Sequence, residues 1–266
     1  MINLARGRYT LWNLNPKISH FMLSKNQRKQ ILQLSKKKFR LSNGLFVAEG
    51  EKVVHELLSS AWPFQMLFST DKNFHPEAEL VSFEEMKTIT HFKTPSPVLG
   101  VFSLPSSQEF RTESITIAVD GVSDPGNLGT IVRLCDWFGL SELICSRTSV
   151  DCFNPKAIQA SMGSIVRVHC HYVEDLGTKL KALNKPIFGA AAKGDSIYTT
   201  QLPQKATYVF GSESHGISVS VSKHLTGELS IPQFRAGSSK AESLNVATAS
   251  AIFLSELFRN NPTIQK

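Results

Sequence analysis

The stretch Asp120-Gly121-Val122-Ser123-Asp124-Pro125-Gly126-Asn127-Leu128-Gly129-Thr130-Ile131-Val132-Arg133 constrains this chain more than any other, because it reads as a strand-to-helix junction. The residues before it, Ile115-Thr116-Ile117-Ala118-Val119, are β-branched or small and apolar, the signature of a largely buried strand. After it, Ile131, Leu134, Cys135 and Phe138 recur at i, i+3, i+4 and i+7, one face of a helix that Gly139 is placed to end in left-handed geometry. Gly121, Pro125, Gly126 and Gly129 make the connection turn sharply with little side-chain bulk, so that something can approach the backbone closely. Arg133 lies one turn beyond Gly129 and off the apolar face; taken alone, a solvated surface arginine is the ordinary reading.

Two further stretches have the same character. Tyr208-Val209-Phe210-Gly211-Ser212-Glu213-Ser214-His215-Gly216-Ile217 is a short apolar strand running into a glycine, an acid and a second glycine. Leu229-Ser230-Ile231-Pro232 is a strand stopped by proline. Glu242-Ser243-Leu244-Asn245 then opens a helix of small residues, with Ser243 as a candidate N-cap. Glycine loops at the ends of parallel strands are where ligands bind in α/β chains.

These three stretches, in this order, resemble the three motifs of the SpoU/TrmH family of RNA 2′-O-ribose methyltransferases. The matching residues are Asp124 to Gly129 with Arg133, then Gly211-Ser212-Glu213 with Gly216, then Ile231-Pro232 with Glu242 to Asn245. The resemblance covers residues 22 to 260 and is strongest after 115. It implies a trefoil-knotted α/β fold that binds S-adenosylmethionine, with backbone groups around Gly211, Ile231 and Leu244 holding the cofactor and Ser212 and Pro232 beside them. Arg133 matches the family's catalytic arginine, and Asn127, Glu213, Ser243 and Asn245 match positions the family uses. Asn127 and Asn245 would anchor a loop or the substrate, and Glu213 would fix a loop or orient Arg133. A guanidinium keeps its proton far above neutral pH, which favours binding phosphate and stabilising an alkoxide over proton abstraction. Helix capping is the competing role for Asn127 and Ser243. The chain departs from many relatives by inserting Gln233 to Ala241, whose Arg235 and Lys240 are candidate phosphate contacts or solvated charges.

The net charge of +7 is unevenly distributed: residues 1–40 hold ten Lys and Arg and no acid, leaving 19 basic and 22 acidic residues beyond them. That is the footprint of an RNA-binding end, with Lys25, Arg28, Lys29, Lys36, Lys37, Lys38 and Arg40 as its candidate contacts. A solvated charged arm is the alternative. Residues 1–21 read as a flexible extension. Ser24 and Gln27 fit a capping box opening a helix. Alternating helix and strand signals from there to Leu104 resemble a small ribosomal-protein-L30e-like RNA-binding domain, covering 22–105. The polar stretch from Pro105 is a linker into a second domain at 111–260. There, strands near 115–119, 142–146, 165–169, 187–191, 207–211 and 228–231 alternate with helices near 127–138, 155–162, 174–182 and 243–259, which calls for a mostly parallel sheet covered on both faces.

Four cysteines without Cys-x-x-Cys spacing suggest neither zinc nor a disulfide framework, and His169 and His171 lack a third ligand, so no metal is expected. No apolar run of membrane length and no signal-like start occur, so the expectation is a cytoplasmic protein with no membrane contact. The family pairs through its knotted domain; Val246, Ala249, Ser250, Phe253 and Leu257 near helical spacing would serve such a homodimer, or equally the core. The leading expectation is methyl transfer to structured RNA, rRNA before tRNA. The rival is a non-catalytic RNA-binding protein that keeps the knotted domain as a dimer scaffold. A generic nucleotide-binding enzyme lacks support, since neither Gly-x-Gly-x-x-Gly nor a P-loop is present.

Overall fold

The computed structural model describes residues 22–106, 108–234 and 243–259. The extension 1–21, Arg235, Lys240 and Glu242 lie outside the described residues. The first half runs α1 (Lys25–Gln33), α2 (Lys37–Asn43), β1 (Leu45–Glu49), α3 (Glu51–Ser59), β2 (Phe64–Ser69), β3 (Glu79–Leu80), α4 (Phe83–Lys87) and β4 (Val98–Ser103). Ser24 caps α1 in the expected capping box, reciprocally with Gln27. The basic run does not continue one helix: α1 ends at Gln33, and α2 is a separate short helix closed by Gly44 at φ +65°. The four strands form a mixed sheet in the order β1-β4-β2-β3.

The second half runs β5 (Ile115–Asp120), α5 (Pro125–Trp137), β6 (Glu142–Ser146), α6 (Pro155–Ser161), a 3-10 turn (Ser164–Val166), β7 (His169–Val173), α7 (Leu176–Lys181), β8 (Ile187–Ser196), β9 (Ala206–Gly211), α8 (Val219–Ser222), β10 (Gly227–Ser230) and α9 (Val246–Phe258). Its six strands are all parallel, in the order β10-β8-β9-β5-β6-β7. Every residue of β5 is buried, as a strand covered on both faces requires. One expected strand is displaced. The apolar run at 165–169 is spent on the 3-10 turn after Gly163, at φ +95°, and the strand begins at His169.

Parallel strands put their carboxyl ends on one edge, and the order reverses on either side of β5, so a crevice is expected between the loops after β5 and β9. The loop after β10 opens on the same edge. Gly129 serves this arrangement in a way its sequence context does not announce. A Cβ there would lie 2.3 Å from the carbonyl oxygen of Ala157 and 2.7 Å from the Ala160 Cβ, so what approaches Gly129 is α6, not a ligand. The apolar core is continuous between the halves, with Phe46, Val53, Leu57 and Phe102 in the same cluster as Cys152, Ile158 and Ile131.

Candidate active site

Asp124 caps α5, its Oδ1 accepting from the Asn127 N–H at 2.9 Å, and Pro125 occupies the first turn. Lys156 donates to Asp124 Oδ2 at 2.8 Å and holds that carboxyl below the usual carboxylate range. The helix ends at Trp137, and Gly139 follows at φ +73°. With Asp124 as cap, the Asn127 side chain is free for other work. Its Nδ2 donates to Glu213 Oε1, and its Oδ1 accepts from Asn245 Nδ2 at 3.0 Å.

The amide orientations in this chain of contacts follow from one another. Asn245 caps α9, so its Oδ1 must accept from Ala247 N at 3.0 Å and Thr248 N at 3.2 Å, leaving Nδ2 to donate outward. Asn127 must then accept with Oδ1 and donate with Nδ2, and a carboxylate at Glu213 is the acceptor that fits. Three side chains from three loops are thereby joined. The expectation that Ser243 caps the last helix is corrected: the cap is Asn245, and Ser243 lies exposed two residues earlier. Among the described residues Glu213 is bonded to Asn127 and not to Arg133.

Gly211 is also explained differently. The loop after β9 folds back so tightly that Ser212 N donates to Gly216 O at 3.0 Å and Gly216 N to Ser212 O at 2.9 Å. A Cβ on Gly211 would lie 2.2 Å from the Gly216 carbonyl carbon, so the glycine makes room for its own loop before any ligand. Asp120, buried at the end of β5, anchors the far side of this loop by accepting from Ser218 N at 2.8 Å. Sequence reading gave Asp120 no part in holding this loop; an acid closing a buried strand was the available signal.

Arg133 is exposed on the stripe of α5 that also carries Thr130 and Trp137, and it makes no hydrogen bond or ion pair with any described residue. Ile231 and Pro232 are half-buried after β10, and Leu244 is 46% exposed directly before the Asn245 cap. Uncovered apolar side chains beside polar backbone suit a flat heterocycle such as adenine, so the residues present fit the expected cofactor. A cavity of about 900 Å³ lies elsewhere, lined by Ile115 at the amino end of β5 with Tyr198, Lys205 and Arg259, and has no part in this site.

The seven candidate RNA contacts divide. Lys25, Arg28, Lys29, Leu32 and Gln33 of α1, with Lys36 at the cap of α2, line a groove of about 420 Å³. Lys37 and Lys38 are exposed at the start of α2, with Lys37 Nζ 5.3 Å from the centre of the Tyr172 ring. Arg40 is no RNA contact. Its side chain is 2% exposed and paired with Asp151 at 2.6 Å, so charge alone misplaced it at the surface. No set of three His, Cys, Asp or Glu suited to a metal occurs among the described residues, and no described helix is long and apolar enough to cross a membrane. The cysteines are free, and burial pushes the Cys135 thiol up to about 12.

Comparison with known proteins matches residues 114–255 to the SpoU rRNA Methylase family and residues 25–100 to an MRM3-like substrate binding domain. A curated relative, the 23S rRNA (guanosine(2553)-2′-O)-methyltransferase RlmP of Bacillus subtilis, is 29% identical over 250 residues, 88% of this chain and 97% of its own length. A solved TrmH-family structure from Porphyromonas gingivalis is 39% identical with a TM-score of 0.77, covering 91% of this chain and all of that one. An AdoMet-bound rRNA methyltransferase from Sinorhizobium meliloti is 28% identical with a TM-score of 0.76, over 90% of this chain and 97% of that one.

Proposed function

This chain belongs to the SpoU rRNA Methylase family, and on that premise we propose that it transfers a methyl group from S-adenosylmethionine to a ribose 2′-hydroxyl of structured RNA, ribosomal RNA before transfer RNA. The observation that carries the proposal is the chain of contacts Asn245–Asn127–Glu213. It ties the three loops together while Arg133, on the same helix as Asn127, makes no hydrogen bond or ion pair with any described residue, an arrangement that a mere scaffold would not need.

When bound, S-adenosylmethionine would supply an electrophilic methyl and leave as S-adenosylhomocysteine, with the 2′-hydroxyl proton passing to solvent. Backbone around Gly211, Ile231 and Leu244 would hold the cofactor's adenosine, with Ser212 and Pro232 beside it. Arg133 grips the phosphate beside the target ribose with its planar fork and stabilises negative charge developing on the 2′-oxygen. Asn127 and Glu213 keep the loops in register, which would hold the cofactor and the target ribose in a fixed mutual orientation. Lys25, Arg28, Lys29, Lys36, Lys37 and Lys38 bind RNA phosphates. The trefoil knot belongs to this reading, in which α9 packs on α5 and touches β9. So do a domain division near 105–111, a cytoplasmic location and a homodimer.

The test is to incubate the purified protein with labelled S-adenosylmethionine and ribosomal RNA from cells lacking the gene, then map ribose methylation. Methyl at a defined 2′-oxygen supports the proposal. Cofactor binding without transfer to ribosomal or transfer RNA, or no cofactor binding at all, contradicts it.

A further inference from the structure

Phosphate contacts hold an RNA but carry no base information. If the basic groove of α1 reads backbone, the choice of nucleotide must come from somewhere else, and the interface between the two halves supplies a geometric source. Arg40 engages all three guanidinium nitrogens within the protein. Its Nη1 donates to the carbonyls of Leu34 at 2.8 Å and Ser35 at 2.9 Å, at the end of α1. Its Nε and Nη2 donate to Asp151 Oδ2 at 2.9 and 2.6 Å, in the loop between β6 and α6. One buried side chain therefore joins the end of the basic helix to the methyltransferase half.

The junction is held at two further places. Phe46 of β1 packs on Phe153 with ring centres 4.9 Å apart, and Arg167 donates to Glu56 of α3 at 2.7 Å while bonding Asp136 of α5. Three separated contacts resist rotation about any one of them. Beyond Asp151 the path stays stiff: Asp151 Oδ1 accepts from Phe153 N at 3.1 Å, Asn154 caps α6, and α6 sits against Gly129 of α5, the helix that carries Arg133. A buried ion pair gives little stability over an apolar contact of the same size, but its fixed fork gives direction.

We infer that Arg40 and Asp151 form a clamp that fixes the span between the basic groove of α1 and Arg133, so that the nucleotide to be methylated is selected by its distance from the RNA segment seated in the groove. The inference rests on the function proposed above. Arg40 and Asp151 are positioning residues in it and touch neither RNA nor cofactor.

The experiment compares the full parent chain with Asp151→Asn, which removes the charge and keeps only one of the two acceptor oxygens that Arg40 and Phe153 N share between them, and with Arg40→Lys and Arg40→Met. Folding at the assay temperature is checked first by circular dichroism. If Arg40→Met does not fold, the two milder variants carry the test. Each folded variant is titrated with S-adenosylmethionine and with ribosomal RNA from cells lacking the gene, then assayed in single turnover with every methylated ribose mapped. The expected result is cofactor and RNA affinities within about twofold of the parent, a fall of about tenfold or more in rate at the parent's nucleotide, and methyl newly found on other riboses. A single methylated position at the parent rate overturns the inference, as does a loss confined to RNA affinity. A parent that transfers no methyl refutes the function itself and is distinguishable from both.

Discussion

The side chain of Asn245 donates from Nδ2 to Oδ1 of Asn127 at 3.0 Å, across 118 positions of sequence. Asn245 can do so because its own oxygen is engaged at the start of α9, and Asn127 can accept because Asp124 has taken over the capping of α5. The contact converts two helix starts and the Glu213 loop into one unit.

That unit predicts an order of severity. Asn127→Ala removes both hydrogen bonds, whereas Asn127→Asp keeps the acceptor toward Asn245 and sets a carboxylate against Glu213. Like charges at hydrogen-bond distance repel, so the aspartate variant should weaken S-adenosylmethionine binding by about tenfold or more and exceed the alanine variant. Calorimetric titration of both decides it. An aspartate variant that binds as tightly as the parent would mean that Glu213 does not hold its loop through Asn127.

Gly211 and Gly216 should respond differently to alanine. At Gly216 a Cβ meets nothing within 4 Å and the cost is backbone strain at φ +67°, about 1 to 2 kcal/mol. At Gly211 the Cβ collides with the Gly216 backbone, so the loop itself must open. Gly211→Ala is expected to lose most cofactor affinity while the rest of the fold persists, and Gly216→Ala to lower thermal stability with affinity largely kept. Equal losses of affinity in the two variants would contradict this assignment.

Much of this was legible in the sequence, for reasons that can be named. The β5 to α5 junction is local: an apolar strand, an Asp-Pro start and Gly139 at the end fix it without reference to the rest of the chain. What escaped depends on distant partners. Arg40 reads as one more cation in a basic run, and only Asp151, 111 positions away, takes it inside. Gly129 and Gly211 announce close approach without saying of what, and both face protein backbone. On α9, Val246, Ser250, Phe253 and Leu257 fit the core and the dimer readings equally in sequence; burial within the chain assigns them to the core.

Ala249 of the same stripe is only half-buried and stays available to a homodimer, and Trp137, 80% exposed near the end of α5, is a further candidate. Light scattering at micromolar concentration should give twice the chain mass of 29.4 kDa, and Trp137→Ala should shift it toward the monomer. A parent protein at monomer mass would contradict the dimer.

The basic groove predicts a salt dependence. Replacing Lys25, Lys29 and Lys36 with Ala should flatten the log–log dependence of RNA affinity on salt by about 0.7 to 0.9 for each phosphate no longer neutralised. Lys38→Ala, outside the groove, should alter it by at most one such step. S-adenosylmethionine affinity should not change. An unchanged slope in the triple variant removes α1 from the RNA interface.

The role of Arg133 tests the account most directly. Single-turnover methyl transfer to ribosomal RNA is measured at saturating S-adenosylmethionine for the parent, Arg133→Ala and Arg133→Lys, beside cofactor titration of each. Because Arg133 is exposed and makes no hydrogen bond or ion pair with any described residue, fold and cofactor affinity should stay within about twofold of the parent. The alanine variant should transfer at least about a hundredfold more slowly, the scale of losing one donor to developing charge. Lysine should rescue little, since it keeps the charge but not the fork. Transfer by Arg133→Ala at the parent rate would contradict the account and leave Arg133 a surface residue of its helix.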